Sequence, residues 1–374
     1  MIRVLHILHS MNRGGAEVML MNYYRNIDRA RVQFDFLLTE STRCLFEDEI
    51  EQMGGRVYRV PLLKMGNPMP YINGVRTFFA EHPEYRIVHS HTSSKSALPL
   101  WIAKRRGIPI RIAHSHNNKS EGGMSGWMRD FLKIPLKRVA TDFFACGRDA
   151  AKWLYGEKMW YDGKVKVLAN AIPVEQYVYD VQRREYIRSK YSISTDTTIM
   201  GMVARFNGQK NHLFALELLK KLKESDVDAK LLLVGDGELR TTILQRIEEL
   251  GIGDDVILAG VVSDVPNYLQ AMDLVLMPSY NEGLPVSLVE AQANGLSVVA
   301  STGVPHEVDV TSNVEFLPLE VNEWANVLAT KISQGVKRDV MAADKVRAAG
   351  YDIKTASKWL QEWYVKTEQL LHDI

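Results

Sequence analysis

An α/β architecture of two Rossmann-like domains is predicted by three features of the chain. A strand–loop–helix alternation starts at Val4 and starts afresh at Thr198. The strand-like apolar runs are short and lack strict alternation, as in parallel sheets covered on both faces. The stretch Asp273–Ser301, DLVLMPSYNEGLPVSLVEAQANGLSVVAS, reads as strand, short loop, helix and strand. That order puts its loop at the carboxyl edge of a sheet, where open α/β folds bind ligands. A chain of 374 residues is long for one core, so two domains are expected.

The elements follow in order. Val4–Leu8 is the first strand, and His9–Gly15 is a turn into the helix Ala16–Tyr24, which has Glu17 in its first turn. Gly14-Gly15 lets backbone approach an anion, although the loop is not GxGxxG. Asp35 lies inside the run Val32–Leu38 and reads as a strand residue, not a ribose ligand. Gly55–Val60, Ile87–His91 and Ile110–His114 are strands, alternating with helices at Tyr71–Glu81 and Ser96–Arg105. Residues 119–138, KSEGGMSGWMRDFLKIPLKR, interleave apolar and aromatic residues with Arg129, Lys133, Lys137 and Arg138. Such a helix suits an anionic bilayer surface, and equally an ordinary domain helix with a basic outer face.

Asn170–Ser194 reads as the junction, because NAIPVEQY breaks the periodicity before a charged helix at Val181–Ser189. The second series runs strand Thr198–Val203, helix Asn211–Leu222, strand Lys230–Val234, strand Ile257–Ala259 and helix Val265–Ala271. Leu274–Met277 is then a buried strand, Pro285 suits a first helical position, and Asn294-Gly295 stops the helix. The tail is helical at Trp324–Lys331, Val340–Ala348 and Thr355–Leu371, the last with an apolar face of Trp359, Trp363, Tyr364, Leu370 and Leu371. The expected domains are 1–172 and 173–351, with a final helix at about 352–374 packing back on the first.

Composition narrows the class. Cys44 and Cys146 make no disulfide framework or metal cluster, which fits a reducing compartment. No apolar run reaches the roughly 18 residues of a membrane span. MIRVLHILHS lacks a small-residue cleavage site and reads as a strand, not a signal peptide. Residues 1–175 carry 26 Lys and Arg against 17 Asp and Glu, so the first half is basic and the second acidic. A basic half suggests an anionic partner. A membrane surface fits; nucleic acid is disfavoured, since no aromatic–basic module is evident.

Two carboxylates carry the chemistry of the Asp273–Ser301 stretch. Glu290 sits about five positions past the helix start, about 7–8 Å along the axis at 1.5 Å per residue. A phosphate on the N–H groups of Gly283–Ser287 would lie about that far away, a gap that suits a ribose. Glu282 would then stand beyond the phosphate, where an attached sugar would be. Arg205 and Lys210, after the strand Thr198–Val203, could clamp a diphosphate without a metal. The pairs His89/His91 and His114/His116 each point to one sheet face. HxH pairs on strands raise a metal site, but no carboxylate or cysteine at a nearby strand end completes one, and none is assigned.

Together these motifs resemble the retaining glycosyltransferases of family 4, which have the GT-B fold. RFNGQKN and NEGLPVSLVEA match the family's basic pair and its glutamate–x7–glutamate motif at Glu282 and Glu290. RGGAE resembles the Gly-rich loop, VHSH and AHSHN the histidine segments, LANAIP the hinge, and VGDGELR the GDGP turn. The match spans nearly the whole chain and is similar above all to bacterial capsule and exopolysaccharide transferases. It implies two parallel sheets facing across a cleft, with donor on the second domain and acceptor on the first. Glu290 would hold the ribose and Glu282 would act beside the anomeric carbon. Gly15, Arg205, Lys210 and the segment Gly283, Leu284, Pro285 and Val286 would hold the diphosphate. His116 would be the histidine beside the donor sugar, with His114 the alternative. Gly14, His91, His114 and Asn117 are further candidates for donor-sugar or acceptor contacts.

The resemblance further implies retention by front-face attack, with no cofactor, no metal and no protein nucleophile. The donor would be a nucleotide sugar, UDP-linked by family frequency, carrying a hexose or N-acetylhexosamine. The acceptor would be a glycan or polyprenyl-diphosphate-linked sugar in surface polysaccharide synthesis. The expected place is the cytoplasm, with peripheral association at the inner face of the membrane through the basic first domain. Ala204 and Ala171 replace glycines of the family pattern, the first crowding the diphosphate and the second altering the hinge. A GT-B epimerase, or a nucleotide-sugar-binding protein without transferase activity, is the alternative. An epimerase would place its carboxylates differently, and an inert protein would lack key residues that are present here.

Overall fold

The computed structural model describes residues 1–12, 14–64, 66–116 and 133–371. The chain divides into two units, Met1–Ala171 with Ile353–Ile374, and Ile172–Asp352. Arg13, Asn117 and most of the basic stretch 119–138 lie outside the described residues.

In the first unit β1 (Ile2–Leu8), β2 (Val32–Leu38), β3 (Val57–Arg59), β4 (Ile87–Ser90), β5 (Ile110–Ser115), β6 (Asp142–Ala145) and β7 (Val165–Val167) form one sheet. Its order is β3-β2-β1-β4-β5-β6-β7, and every pairing is parallel. The winding reverses between β1 and β4, and a crevice opens at the carboxyl ends of strands at such a switch. β2 is buried along its whole length, Asp35 included. A buried carboxylate needs donors. Asp35 pairs with Arg3, and accepts from the Tyr85 hydroxyl at 2.7 Å and the Arg56 N–H at 2.8 Å. It is a structural strand residue, as its place in the run suggested.

The closing helix Ile353–Gln369 buries Ile353, Leu360 and Tyr364 in the core that also holds Tyr23, Phe34 and Phe36. Trp363 meets Phe144 edge-on at 5.0 Å, and Gln361 Oε1 accepts from the Asp28 N–H at 2.7 Å. Trp359 and Leu370, expected on the packed face, stay largely exposed.

In the second unit β8 (Thr198–Val203), β9 (Ala229–Val234), β10 (Val256–Gly260), β11 (Leu274–Met277), β12 (Ser297–Ser301) and β13 (Val314–Leu317) pair in the parallel order β10-β9-β8-β11-β12-β13. Its core joins Met200, Leu231, Leu276 and Val299 to Leu218 and Trp324 from the flanking helices. Gly235, at φ +140°, sits where an added Cβ would come within 2.0 Å of the Ala204 carbonyl oxygen. Only glycine at 235 permits this approach to the Ala204 backbone. Ala171 is buried and is not among the positive-φ residues, so that position needs no glycine here. Pro285 does not open the helix: it is the N-cap at φ −72° and ψ 112°, and the helix is Val286–Ala293. An extended ψ at Pro285 turns the loop into the helix axis one residue later than its φ preference suggested.

Candidate functional site

In the second unit the loop between β11 and the helix Val286–Ala293 is tied down from both sides. The Tyr280 N–H donates to the Gln209 carbonyl at 2.9 Å, and Gln209 Nε2 donates to the Asn281 carbonyl at 2.8 Å. The Glu282 N–H donates to the Gly303 carbonyl at 3.1 Å. A Cβ on Gly303 would lie 2.2 Å from the Tyr280 carbonyl, so only glycine permits this approach. Held this way, the Glu282 side chain is buried, and its Oε1 accepts from Lys210 Nζ at 2.6 Å. Lys210 is itself fixed by a backbone N–H bond to Asn207 Oδ1 at 3.1 Å. Arg205 is far more exposed and meets Glu238 at 3.2 Å. Val286 and Ser287 head the helix, where N–H groups have no intrahelical acceptor and the dipole favours an anion. Pro285 has no N–H and supplies only its ring and carbonyl.

Further along that helix, Glu290 Oε1 accepts from the Tyr177 hydroxyl at 2.7 Å. Asn294, at the helix end, holds Tyr177 through its backbone carbonyl at 2.6 Å. Burial pushes the Glu290 carboxyl above the usual carboxylate range, and the Tyr177 bond opposes that. The result is two carboxylates flanking a helix N-terminus, with Lys210 against one and a tyrosine against the other. An anion on the N–H groups would have one hydroxyl-accepting carboxylate on each side.

In the first unit the carboxyl ends of β1, β4 and β5 carry five histidines in two rows. His6 is in register with His89, and His89 with Ile112. Each row therefore steps one strand across and two residues along, which is why the HxH spacing recurs. One row is His6 Nδ1 to His91 Nε2 at 3.0 Å, then His91 Nδ1 to His116 Nε2 at 2.9 Å. The other is Tyr364 hydroxyl to His89 Nδ1 at 2.7 Å, then His89 Nε2 to His114 Nδ1 at 3.1 Å. The rows stack, His89 on His91 at 4.3 Å and His114 on His116 at 4.1 Å. Burial holds His6 down to about 3 and His116 to about 4, and His89, His91 and His114 well below their ordinary value. All five are neutral near pH 7. The nitrogens of His6, His89 and His91, and of His91, His114 and His116, lie within 4.8 Å of one another, close enough for a metal. Each set is all-histidine, and its nearest contacts are hydrogen-bonded pairs.

Comparison with known proteins supplies a family. Residues 14–171 match the Glycosyl transferase 4-like domain, and residues 183–337 match Glycosyl transferases group 1. EpsF of Bacillus subtilis (strain 168) is 34% identical over 375 residues, covering 98% of this chain and 97% of that one. The chain belongs to the family 4 glycosyltransferases. The capsular polysaccharide biosynthesis glycosyltransferase CapH of Staphylococcus aureus is 25% identical over 378 residues, covering 98% and 99%. The crystal structure of Anabaena Alr3699/HepE in complex with UDP has a TM-score of 0.79 at 19% identity, covering 98% and 100%. The fold is GT-B.

Within this glycosyltransferase the second unit brings Glu282, Lys210, Gly283 and Val286 together at one helix N-terminus, with Glu290 along the same helix. Leu284 and Pro285 complete the loop and are buried. Arg205 lies in the same unit with its side chain turned to Glu238. In the first unit His91, His114 and His116 come together, whereas Gly14 and Gly15 head the helix Gly15–Asn26. A Cβ on Gly14 would meet the Glu17 carboxylate at 2.2 Å, while Gly15 faces open space. His6, Tyr177 and Gly303 belong to these constellations without any motif that marks them, and Tyr364, expected on the packing face of the last helix, also turns its hydroxyl to His89. Tyr177 closes the NAIPVEQY segment, and that position was its only signal.

Proposed function

We propose that this glycosyltransferase is a retaining, metal-independent hexosyltransferase acting in surface polysaccharide synthesis. It moves a hexose or N-acetylhexosamine from a UDP-sugar to a glycan or polyprenyl-diphosphate-linked acceptor. The observation that carries the reading is the buried Glu282, held 2.6 Å from Lys210 beside the N-terminus of the helix Val286–Ala293. The capsule relative CapH and the UDP complex of HepE support the pathway class and the nucleotide.

In this reading the diphosphate rests on the N–H groups of Gly283, Val286 and Ser287, with Arg205 and Lys210 supplying countercharge. The bond from the anomeric carbon to the phosphate oxygen breaks, and negative charge grows on the diphosphate. Fixed N–H dipoles and cations stabilise such charge more in the transition state than in the ground state. The acceptor hydroxyl attacks on the face the phosphate leaves, and its proton passes to the departing phosphate oxygen. Glu282 accepts hydroxyls of the transferred sugar, Glu290 accepts those of the ribose, and His116 hydrogen-bonds to the reacting sugars. The first unit serves the acceptor and associates peripherally with anionic membrane on the cytoplasmic face.

Glu282→Ala tests the core of this proposal. Turnover with the best of a panel of UDP-sugars should fall by about 10²–10³-fold, the scale of losing one preorganised group that acts in the transition state. The melting temperature should stay near that of the wild type. Wild-type-like turnover would sink the role given to Glu282. Loss of wild-type activity in EDTA, restored by a divalent ion, would remove metal independence.

A further inference from the structure

We infer that His91 is a positioning residue that presents His116 in the tautomer with its proton on Nδ1, so that His116 meets the reacting sugars as a hydrogen-bond donor. The functional half of this inference rests on the role proposed above for His116. The tautomer half rests on the geometry of one row.

A neutral imidazole has one N–H and one bare nitrogen. In a row of three neutral imidazoles the protons are therefore linked: choosing the protonated nitrogen of one ring fixes the next. The row begins at His6 Nε2, which is buried and has no hydrogen-bond partner among the described residues. Its ring packs against Phe34 and Phe36, with centroids 4.2 and 5.8 Å away. A buried N–H with no acceptor is rare and costly, more so than an unused lone pair. His6 therefore keeps Nε2 bare and carries its proton on Nδ1. That proton is donated to His91 Nε2, 3.0 Å away. His91 then carries its own proton on Nδ1, facing His116 Nε2 at 2.9 Å. With Nε2 accepting, the proton of His116 is left on Nδ1. Free histidine in water prefers the opposite tautomer, so the row imposes the less common form. The second row, from the Tyr364 hydroxyl through His89 to His114, stacks on the first and braces the ring planes.

The consequence separates His116 from a general base. Its Nδ1 offers a proton to a sugar oxygen and has no lone pair to take one. A donor fixed in direction by neutral partners loses little entropy on binding.

The test combines a spectrum with kinetics on the full chain. Nitrogen-15 spectra of histidine-labelled protein distinguish N–H from bare ring nitrogen. Wild type should show His6, His91 and His116 all protonated on Nδ1. In His91→Phe the partly exposed His116 loses its partner and should revert to the Nε2–H form. The kcat should then fall about tenfold, a loss equivalent to one hydrogen bond. The donor KM should change less than kcat does, because most of the donor's contacts, those to its diphosphate and ribose, are assigned to the other unit. His91→Asn places an amide N–H where Nδ1–H was, and should restore both the tautomer and most of kcat. An Nε2–H signal for His116 in wild type, or an unchanged signal in His91→Phe, would overturn the inference. So would stoichiometric zinc uptake by wild type that displaces the ring N–H signals, since the row would then be a metal site. His116→Ala separates the two readings: full turnover there would end the catalytic role of His116, whatever the spectra of His91→Phe report.

Discussion

Tyr177 bears directly on the ribose role proposed for Glu290. A carboxylate pushed up by burial accepts ribose hydroxyls well only if it stays ionised and aimed. The Tyr177 hydroxyl, 2.7 Å from Oε1, does both, and Asn294 fixes Tyr177 in turn. Removing that hydroxyl in Tyr177→Phe should cost about 0.5–1.5 kcal/mol of donor binding, or about 2- to 12-fold in affinity. Glu290→Ala should cost more, because it removes the carboxylate proposed to accept the ribose hydroxyls. Calorimetric titration with UDP checks both, and unchanged affinity in Glu290→Ala would refute the ribose assignment. The acidic pair was legible in the sequence because its spacing has a geometric meaning. Tyr177 was not, since it comes from a segment 113 positions away and only the fold brings it near. His6 was missed for a similar reason: it lacks the HxH partner that marks the other four histidines.

At the scale of elements, strands with long apolar runs were readable, and β8 and β11 fall where periodicity put them. The three- and four-residue strands β6, β7 and β13 went unread, as did the helix Glu47–Gln52. β11 is as short but wholly apolar, LVLM, whereas DFFA, VKV and VEFL each carry a charged residue, and pairing with a neighbour defines them. The basic character of the first unit, legible as composition, also becomes local. Arg76, Arg105 and Arg106 line a cavity of about 310 Å³ with Trp101, and Arg105 lies 5.4 Å from the Trp101 ring. The helix Ala97–Arg105 thus ends in cations beside an amphipathic ring, which suits a phosphate-rich surface. Each such charge near an anionic bilayer is worth about 1 kcal/mol. Replacing all three arginines by alanine should weaken co-sedimentation with phosphatidylglycerol vesicles by about 100-fold. Binding should fall with added salt and be absent on phosphatidylcholine. Unaltered binding in the triple variant would exclude this patch as the membrane face.

Across the whole molecule the two units differ in how they carry ionisable groups, and pH should separate them. Two α/β series and a returning helix were visible from periodicity and from the apolar face of the tail. The histidine-rich interior of the first unit was not, because burial is a property of the fold. Five histidines there are held neutral by burial, His6 at about 3, His116 at about 4 and the others well below the ordinary value. The unfolded chain has histidines near 6.5. Below that pH the unfolded state binds protons that the folded state refuses, so stability falls as pH falls from about 6.5 towards about 4. Each histidine can remove about 1.4 kcal/mol per pH unit across that window, so five together weigh heavily by pH 5. In the second unit His212 is held near 4 in the same way, a single contribution. Glu290 there acts oppositely, since a raised carboxyl favours the folded state as pH drops through the carboxylate range. Hydrogen exchange at pH 7.5 and pH 5.5, corrected for intrinsic rates, should therefore show protection lost in β1, β4 and β5 well before β8, β9 and β11. Equal loss in both sheets would mean that the five imidazoles are not buried as a neutral group. His6→Phe should flatten the acid dependence of the first unit by about one proton, since it removes one of the groups that only the unfolded chain protonates.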